Sequence, residues 1–246
     1  MSDDVYKTPR LYTDQPLSAG LEVALEKAQS HYLGNVMRLK PGGQVRLFNG
    51  KDGEWLCSVQ SLSKRGGTLR AERQTREQSA PADIEYHFAP LKHARLDYMV
   101  QKASELGATL LQPVLTERTN VARVKLERMR ANAIEAAEQC NLLSIPEVCE
   151  PIRFDALLDG WDPERRLIFC DEAAEVASPL AVLQALPPGP AAVLIGPEGG
   201  FSPQERQTLL GLPFVVAISL GPRVMRADTA GTAALALVQS VLGDWR

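Results

Sequence analysis

The chain has 246 residues, 45% of them hydrophobic and 23% charged, a globular composition with length for one large domain or two modest ones. No apolar run nears the roughly 20 residues that span a bilayer; Cys57, Cys140, Cys149 and Cys170 show no CxxC spacing and His31, His87 and His93 no HxxxH pair, which argues against a membrane span, a disulfide framework and a bound metal. The net charge of −3 hides an asymmetry, because residues 1–76 carry 12 Lys/Arg against 8 Asp/Glu while residues 77–246 carry 15 against 22, so the front segment is the basic one and suits an anionic partner such as nucleic acid.

The polar start MSDDVYKTPR lacks the pattern of a secretory signal, and a reducing cytoplasm is the expected compartment. A helix is predicted near 21–37. Three strand-like pieces follow, GGQVRLFNG, EWLCSVQSL and GGTLRAE, separated by Gly, Asn and Asp turns. They predict a small β-rich domain over residues 1–76, a compact barrel with one helix. The polar, proline-containing stretch ERQTREQSAPAD, 72–83, reads as a linker.

Over 77–246 the pattern changes. A strand at 84–91 precedes a helix whose Leu96, Met99, Val100, Ala103 and Leu106 share one face, with Gly107 as its terminating glycine. A strand is predicted at 109–115, then a long helix over 122–142 with Val124, Met129, Ala133, Ala136, Ala137 and Cys140 inward. Strands at 166–170, 191–195 and 214–220 alternate with helices, the last over 229–243. Alternating strand and helix predicts an α/β fold with a mostly parallel sheet covered on both faces.

In such sheets, ligands bind beyond the carboxyl ends of the strands. Two loops there are unusual. The first is GPEGG, 196–200, where glycines allow close backbone approach and Ser202-Pro203-Gln204-Glu205 has the form of a capping box with proline at the first helical position. The Gly-Lys-Ser/Thr of a phosphate-binding loop is missing, and Glu198 would repel phosphate. A carboxylate favours a cationic ligand rich in donors, and S-adenosylmethionine answers to that; a structural turn with a solvated Glu198 is the alternative. The second loop, SLGPRVMRADTAGT, 219–232, carries Arg223, Arg226 and Asp228 before a helix of very small residues. A plain core helix explains the small residues but not the charges.

LIGPEGGFSPQE followed by SLGPRVMRADTAGTAAL resembles the SPOUT class of methyltransferases, and more closely the RsmE family, which methylates N3 of a uridine in 16S ribosomal RNA. VQKASELGATLLQPVLTERT and AAEQCN are similar to that family too, and HYLGNVMRLKPGGQVRLFNG resembles its PUA-like RNA-binding barrel. The resemblance implies a deep trefoil knot in residues 77–246, an exception to unknotted chains, and a homodimer. It implies a cofactor pocket for S-adenosylmethionine using Leu194, Gly196, Gly199, Leu220, Gly221 and Met225 along with Glu198. Arg226, Asp228 and Glu198 are the candidate catalytic residues: a carboxylate to take the N3 proton, an arginine to hold the carbonyl oxygen where charge grows. A structural Arg226–Asp228 ion pair is the rival reading. Arg10, Arg38, Arg118 and Arg123 are the RNA-facing candidates, and His31 and His93 are structural or RNA-adjacent. Two departures from the family stand out: Ala227 and Asp228 replace its Thr and Glu, and Leu142 stands where it has an arginine. Two other readings use less of the sequence. One is methylation of another RNA nucleotide. The other is a non-catalytic RNA-binding factor of ribosome assembly, which would need the basic front segment but not both loops.

Overall fold

A computed structural model describes residues 8–92, 94–121, 123–174 and 178–245, in two compact units. The first takes residues up to 80 together with 137–144; the second takes 81–136 and 145 onward.

In the first unit the chain runs through β1 (Arg10–Tyr12), β2 (Glu22–Leu25), α1 (Lys27–His31), a π-helical turn (Tyr32–Val36), β3 (Gln44–Phe48), β4 (Glu54–Ser63) and β5 (Gly66–Arg76). The strands pair in the order β1-β3-β4-β5-β2, and only the β1–β3 pair is parallel. Leu33, Val45, Leu47, Val59 and Leu69 fill the core. Register shifts between β4 and β5 bend that long pair. Among the described residues no ladder joins β1 to β2. Side chains close this seam: the Gln15 amide donates to Ala24 O at 2.7 Å and accepts from Ala24 N at 3.0 Å, and Gln29 Nε2 donates to Tyr12 O at 2.9 Å.

Two boundaries differ from the sequence reading. The helix predicted over 21–37 is a strand and then a helix, because Glu22–Leu25 alternates exposed and buried residues and pairs with β5. Arg73, Gln74 and Arg76 of the predicted linker are paired with β4 instead. Residues 137–144 join the unit through hydrogen bonds: Tyr12 N donates to Glu138 Oε1 at 2.9 Å and Arg76 Nη1 to Asn141 O at 2.7 Å.

The second unit contains β6 (Ile84–Phe88), α2 (Ala94–Glu105), β7 (Leu110–Leu115), α3 (Leu126–Gln139), β8 (Glu147–Val148), β9 (Ile152–Arg153), α4 (Phe154–Asp159), β10 (Arg166–Cys170), α5 (Pro179–Gln184), β11 (Ala191–Ile195), α6 (Pro203–Leu210), β12 (Val215–Ile218) and α7 (Ala227–Val241). Its sheet runs β12-β10-β11-β6-β7-β8, with β9 also on β7, and every pair is parallel. This is the α/β architecture that the alternating pattern predicts. Val193 and Ile195 point into one core with α2, α5 and α7, while Ala192 and Leu194 point into another with α4 and α6. A parallel sheet covered on both faces needs such uninterrupted apolar strands.

Local signals explain several ends. Gly107 stops α2 in the left-handed conformation, φ +78°. α3 is shorter than predicted. Asn141 turns left-handed (φ +57°) just past it, which leaves Cys140 exposed rather than inward. Gly231 explains the small residues of α7: a Cβ there would stand 2.1 Å from the Tyr86 hydroxyl. No helix among the described residues is long and apolar enough to cross a membrane.

Candidate active site

The carboxyl ends of β10, β11 and β12 carry the two unusual loops. All five residues of β11 are buried, and the chain leaves it at Gly196. A Cβ on Gly196 would meet the Phe201 ring at 2.7 Å, and that ring is fixed edge-on against Phe169 at 5.2 Å. The turn closes when Gly200 N donates to Pro197 O at 2.9 Å, with Gly200 at φ +66°. The predicted capping box then starts α6: Ser202 Oγ accepts from Glu205 N at 3.3 Å and Glu205 Oε2 from Ser202 N at 2.9 Å. The other Glu205 oxygen accepts from Glu117 N at 2.8 Å, and Arg118 Nη1 donates to Gly199 O at 2.8 Å. The loop after β7 therefore holds the glycine turn from outside. Arg95 Nη1 lies 3.6 Å from Glu198, both side chains nearly half exposed.

The second loop is held less. Gly221 adopts φ +103° and its N–H reaches Ser219 Oγ at 3.4 Å, while Val224 stands 87% exposed. Arg226 occupies the N-cap position of α7, and Asp228 lies in its first turn, accepting from Thr229 N at 3.0 Å.

Between the loops lies a cleft of about 290 Å³, with an adjoining lobe of about 150 Å³ that shares Cys170, Asp171, Glu172 and Met225 with it. Of the predicted residues, Gly196, Glu198, Met225 and Arg226 line the larger lobe, and Leu220, Gly221 and Met225 the smaller. Three predicted residues lie elsewhere. Leu194 is fully buried with its side chain in the α4–α6 core, so it supports the cleft floor rather than forming its wall. Gly199 faces the Arg118 side chain, whose Cδ is 3.6 Å from where its Cβ would stand. Asp228 lines neither lobe and makes no ion pair with Arg226 among the described residues.

The RNA-facing candidates also separate. Arg10 is not presented to a partner. Its guanidinium is buried, donates to Glu54 Oε2 at 2.6 Å, to Ala137 O at 2.6 Å and to Leu142 O, and stacks 3.7 Å over Phe48. Every face of it is used within the first unit. Arg38 is exposed at φ +55°, right after the exposed Val36 and Met37. Arg118 is the exposed clamp on Gly199, and Arg123 lines a different cleft of the second unit. His31 is exposed, and His93 lies outside the described residues.

Sequence reasoning missed a pair in the cleft wall. Asp171, buried, follows β10 directly, and Arg206 of α6 grips it with Nε at 3.0 Å and Nη2 at 2.8 Å from Oδ2. The signal was present, since DEAAE follows a buried strand just as GPEGG does. Burial pushes the neighbouring Cys170 thiol up to about 12, so it stays protonated and is no competing nucleophile. With Arg206 engaged by Asp171, the cleft sets Glu172 and Glu198 against Arg226. Among the described residues, Arg226 in the larger lobe and Arg223 in the smaller are the lining arginines besides Arg206, and Glu198 is faced from outside by Arg95.

A family model described as RNA methyltransferase domain matches residues 78–239, and one described as RNA methyltransferase PUA domain matches residues 25–72. The chain is 32% identical over 226 residues to the Ribosomal RNA small subunit methyltransferase E of Synechocystis sp., covering 89% of this chain and 73% of that relative. It is 29% identical to the protein of the same name from Rickettsia conorii, over 95% of this chain and 96% of the other. The crystal structure of Ribosomal RNA small subunit methyltransferase E from Neisseria gonorrhoeae bound to S-adenosyl methionine is similar with a TM-score of 0.83 at 30% identity, covering 97% of this chain and 100% of that one. The two-loop cleft thus stands on a fold and a sequence shared with these enzymes over most of this chain, and the chain belongs to the RNA methyltransferase family of the small-subunit ribosomal RNA methyltransferase E type.

Proposed function

We propose that this chain methylates N3 of a uridine in 16S ribosomal RNA with S-adenosylmethionine as donor. The observation that carries the reading is the cleft: two glycine-turned loops at neighbouring strand ends, walled by Glu172 and Glu198 and completed by Arg226. A ligand with an ammonium and a sulfonium suits such a wall, and the glycine turn at 196–200 lets it approach the backbone. Gly196, Glu198, Leu220, Gly221 and Met225 are the residues that would hold it, with Leu194 beneath and Gly199 braced by Arg118. When bound, the cofactor supplies an electrophilic methyl group.

The chain's own residues then have two tasks. Uracil N3 carries a proton, and the imide becomes nucleophilic as that proton leaves. A carboxylate takes the proton. Arg226 stabilises the negative charge that grows on the adjacent carbonyl oxygen. Glu198 and Asp228 are the two carboxylates offered. What supports Glu198 is its place in the cleft lining with Arg226; what supports Asp228 is its position two residues on from Arg226 in the first turn of α7. Holding base and donor in line supplies much of the rest.

In this reading residues 1–76 form the PUA-like RNA-binding domain and residues 77–246 the knotted methyltransferase domain. The enzyme is a homodimer working in the cytoplasm. Incubating unmodified small ribosomal subunits with the protein and isotopically labelled S-adenosylmethionine, then analysing nucleosides by mass spectrometry, tests the assignment. N3-methyluridine carrying the label is expected. Label in another nucleoside would leave a methyltransferase with a different target, and no label together with no cofactor binding would favour an RNA-binding assembly factor.

A further inference from the structure

A second cleft, of about 330 Å³, opens on the same carboxyl rim and shares no residue with the cofactor cleft. Lys92 comes from the segment after β6, Arg123 and Lys125 from the segment between β7 and α3, and Arg128 from α3 itself. These cations converge from three separate segments on one hollow. A solvated helix face would not bring them together.

Charge in this hollow is unbalanced. Among the described residues Asp97 of α2 is its one lining carboxylate, and Arg128 engages it with Nε at 2.8 Å and Nη2 at 2.5 Å, with Asn132 adding a 2.9 Å bond. Lys92, Arg123 and Lys125 are exposed and make no ion pair among the described residues. Arg123 and Lys125 also stand just ahead of α3, where the positive end of the helix dipole disfavours cations. An anion placed here would relieve both terms. Beneath the cations lies an apolar floor, the buried Leu91 and Met129 with half-buried Leu96. A hydrated inorganic anion has no use for such a floor. A nucleotide does, with its phosphodiester on the cations and its base on the floor.

Position strengthens this. The cofactor cleft lies at the mouths of β10, β11 and β12, and the basic cleft at the mouths of β6 and β7, next along the sheet. Neighbouring strands are about 4.8 Å apart, so the two clefts are on the order of 10 Å apart along the rim. Arg95, which faces Glu198 in the first, adjoins Leu96 and Asp97 in the second.

We propose that the cleft of Lys92, Arg123 and Lys125 is a nucleotide-binding site for the RNA strand flanking the target base, distinct from the site of methyl transfer. The proposal rests on the RNA methyltransferase reading above. The test uses the full chain, a fluorescein-labelled uridine dodecamer at low salt, and calorimetry with S-adenosylmethionine in parallel. Arg123→Glu/Lys125→Glu should weaken dodecamer binding at least about tenfold and reduce the slope of log affinity against log salt by about 1.4, two phosphates at roughly 0.7 each. Cofactor affinity should not move, and Arg123→Lys/Lys125→Arg should stay near the parent. Lys92→Glu, on another segment, should show the same trend with half the change in slope. Unchanged affinity and slope in variants that still bind cofactor would overturn this site while leaving the methyltransferase reading intact. A parent protein that binds S-adenosylmethionine but not the dodecamer would overturn the RNA reading, and the inference with it.

Discussion

Arg10–Glu54 in the first unit and Arg206–Asp171 in the second are the same chemical pair in different surroundings. In the first, both side chains are buried, at 3% and 2% exposure; in the second, Asp171 is at 4% but Arg206 at 39%. Glu54 has a full complement of partners: Arg10 at 2.6 Å, Thr75 Oγ1 at 2.8 Å and Arg46 at 3.4 Å. Arg10 also donates from both terminal nitrogens, to the carbonyls of 137 and 142. Nothing is left over for a ligand. Asp171 instead borders a cleft, and its arginine is half in water. A pair closed on all sides holds a fold; a pair with one open side shapes a site. Charge alone, as read in sequence, does not separate the two.

The sharpest way to break this contrast is to cut both arginines. A buried carboxylate stripped of its partner costs about 3–5 kcal/mol. Arg10→Ala should therefore lower the unfolding free energy in urea denaturation by about 3 kcal/mol, the low end of that range, since Glu54 loses its closest partner but keeps Thr75 and Arg46, and the 137–144 segment loses two of its hydrogen bonds. Arg206→Ala should cost far less stability and instead weaken S-adenosylmethionine binding in calorimetry. Equal stability losses would erase the distinction between clasp and wall.

Arg226 extends the comparison to an arginine with no carboxylate partner among the described residues. If its partner exists mainly in the transition state, Arg226→Ala should reduce kcat by about 10²–10³ while cofactor affinity changes by less than about threefold. Glu198→Gln and Asp228→Asn, measured alongside, identify the base: the one whose loss removes the acidic limb of the kcat–pH profile takes the N3 proton. A collapse of cofactor affinity in the Arg226 variant would make it a binding residue instead.

Acid probes the closed pair a third way. Burial by itself would push the Glu54 carboxyl up, but hydrogen bonds from Arg10 and Thr75 and the charges of Arg10 and Arg46 outweigh it and hold the group below its ordinary value of 4.5. A depressed carboxylate contributes stability above the unfolded value, about 4.3 for glutamate, and loses it as pH falls through the lowered folded value. The difference in Tm between parent and Glu54→Gln should accordingly be flat above about pH 5 and shrink below about pH 4. A difference that grows on acidification would mean that Glu54 is not held ionised.

The parts of this molecule that the sequence makes legible are those built by neighbours in the chain. An apolar run, a glycine turn and Ser-Pro-x-Glu specify β11, the loop and the start of α6 within fifteen residues, and the structure bonds them as that pattern requires. The long-range pieces are not legible. Arg10 reads as one more basic residue of a basic segment until Glu54, Ala137 and Leu142 surround it. Asp171 and Arg206 are 35 positions apart, joined only when β10 and α6 are in place. Glu22–Leu25 falls within the helix predicted near 21–37, yet it pairs as a strand with β5, a long-range contact that the local sequence does not show. The basic run from Arg118 to Arg130, with five basic residues and one glutamate, marks Arg123 and Lys125 in the sequence, but the basic cleft needs two loops and α3 to meet, so Lys92 carries no signal of its own.

Arg95–Glu198 is the open extreme of the series, with side chains 41% and 45% exposed and 3.6 Å between them. Such pairs are worth about 0–1 kcal/mol, because water screens them and two long side chains lose freedom to make them. Arg95→Ala should thus shift unfolding by less than about 0.5 kcal/mol, well below Arg10→Ala. Its value lies in what it does to Glu198. If the wall acts as a diffuse negative surface, removing Arg95 makes the cleft slightly more negative and tightens a cationic cofactor by no more than about threefold, an effect that disappears near 1 M salt. If instead Glu198 must be aimed, Arg95→Ala loosens cofactor binding and Arg95→Lys restores it, at low salt and high salt alike. Calorimetry on the two variants at both salt concentrations separates these outcomes. The first is expected, since a single exposed contact at that distance is too weak to fix a glutamate rotamer.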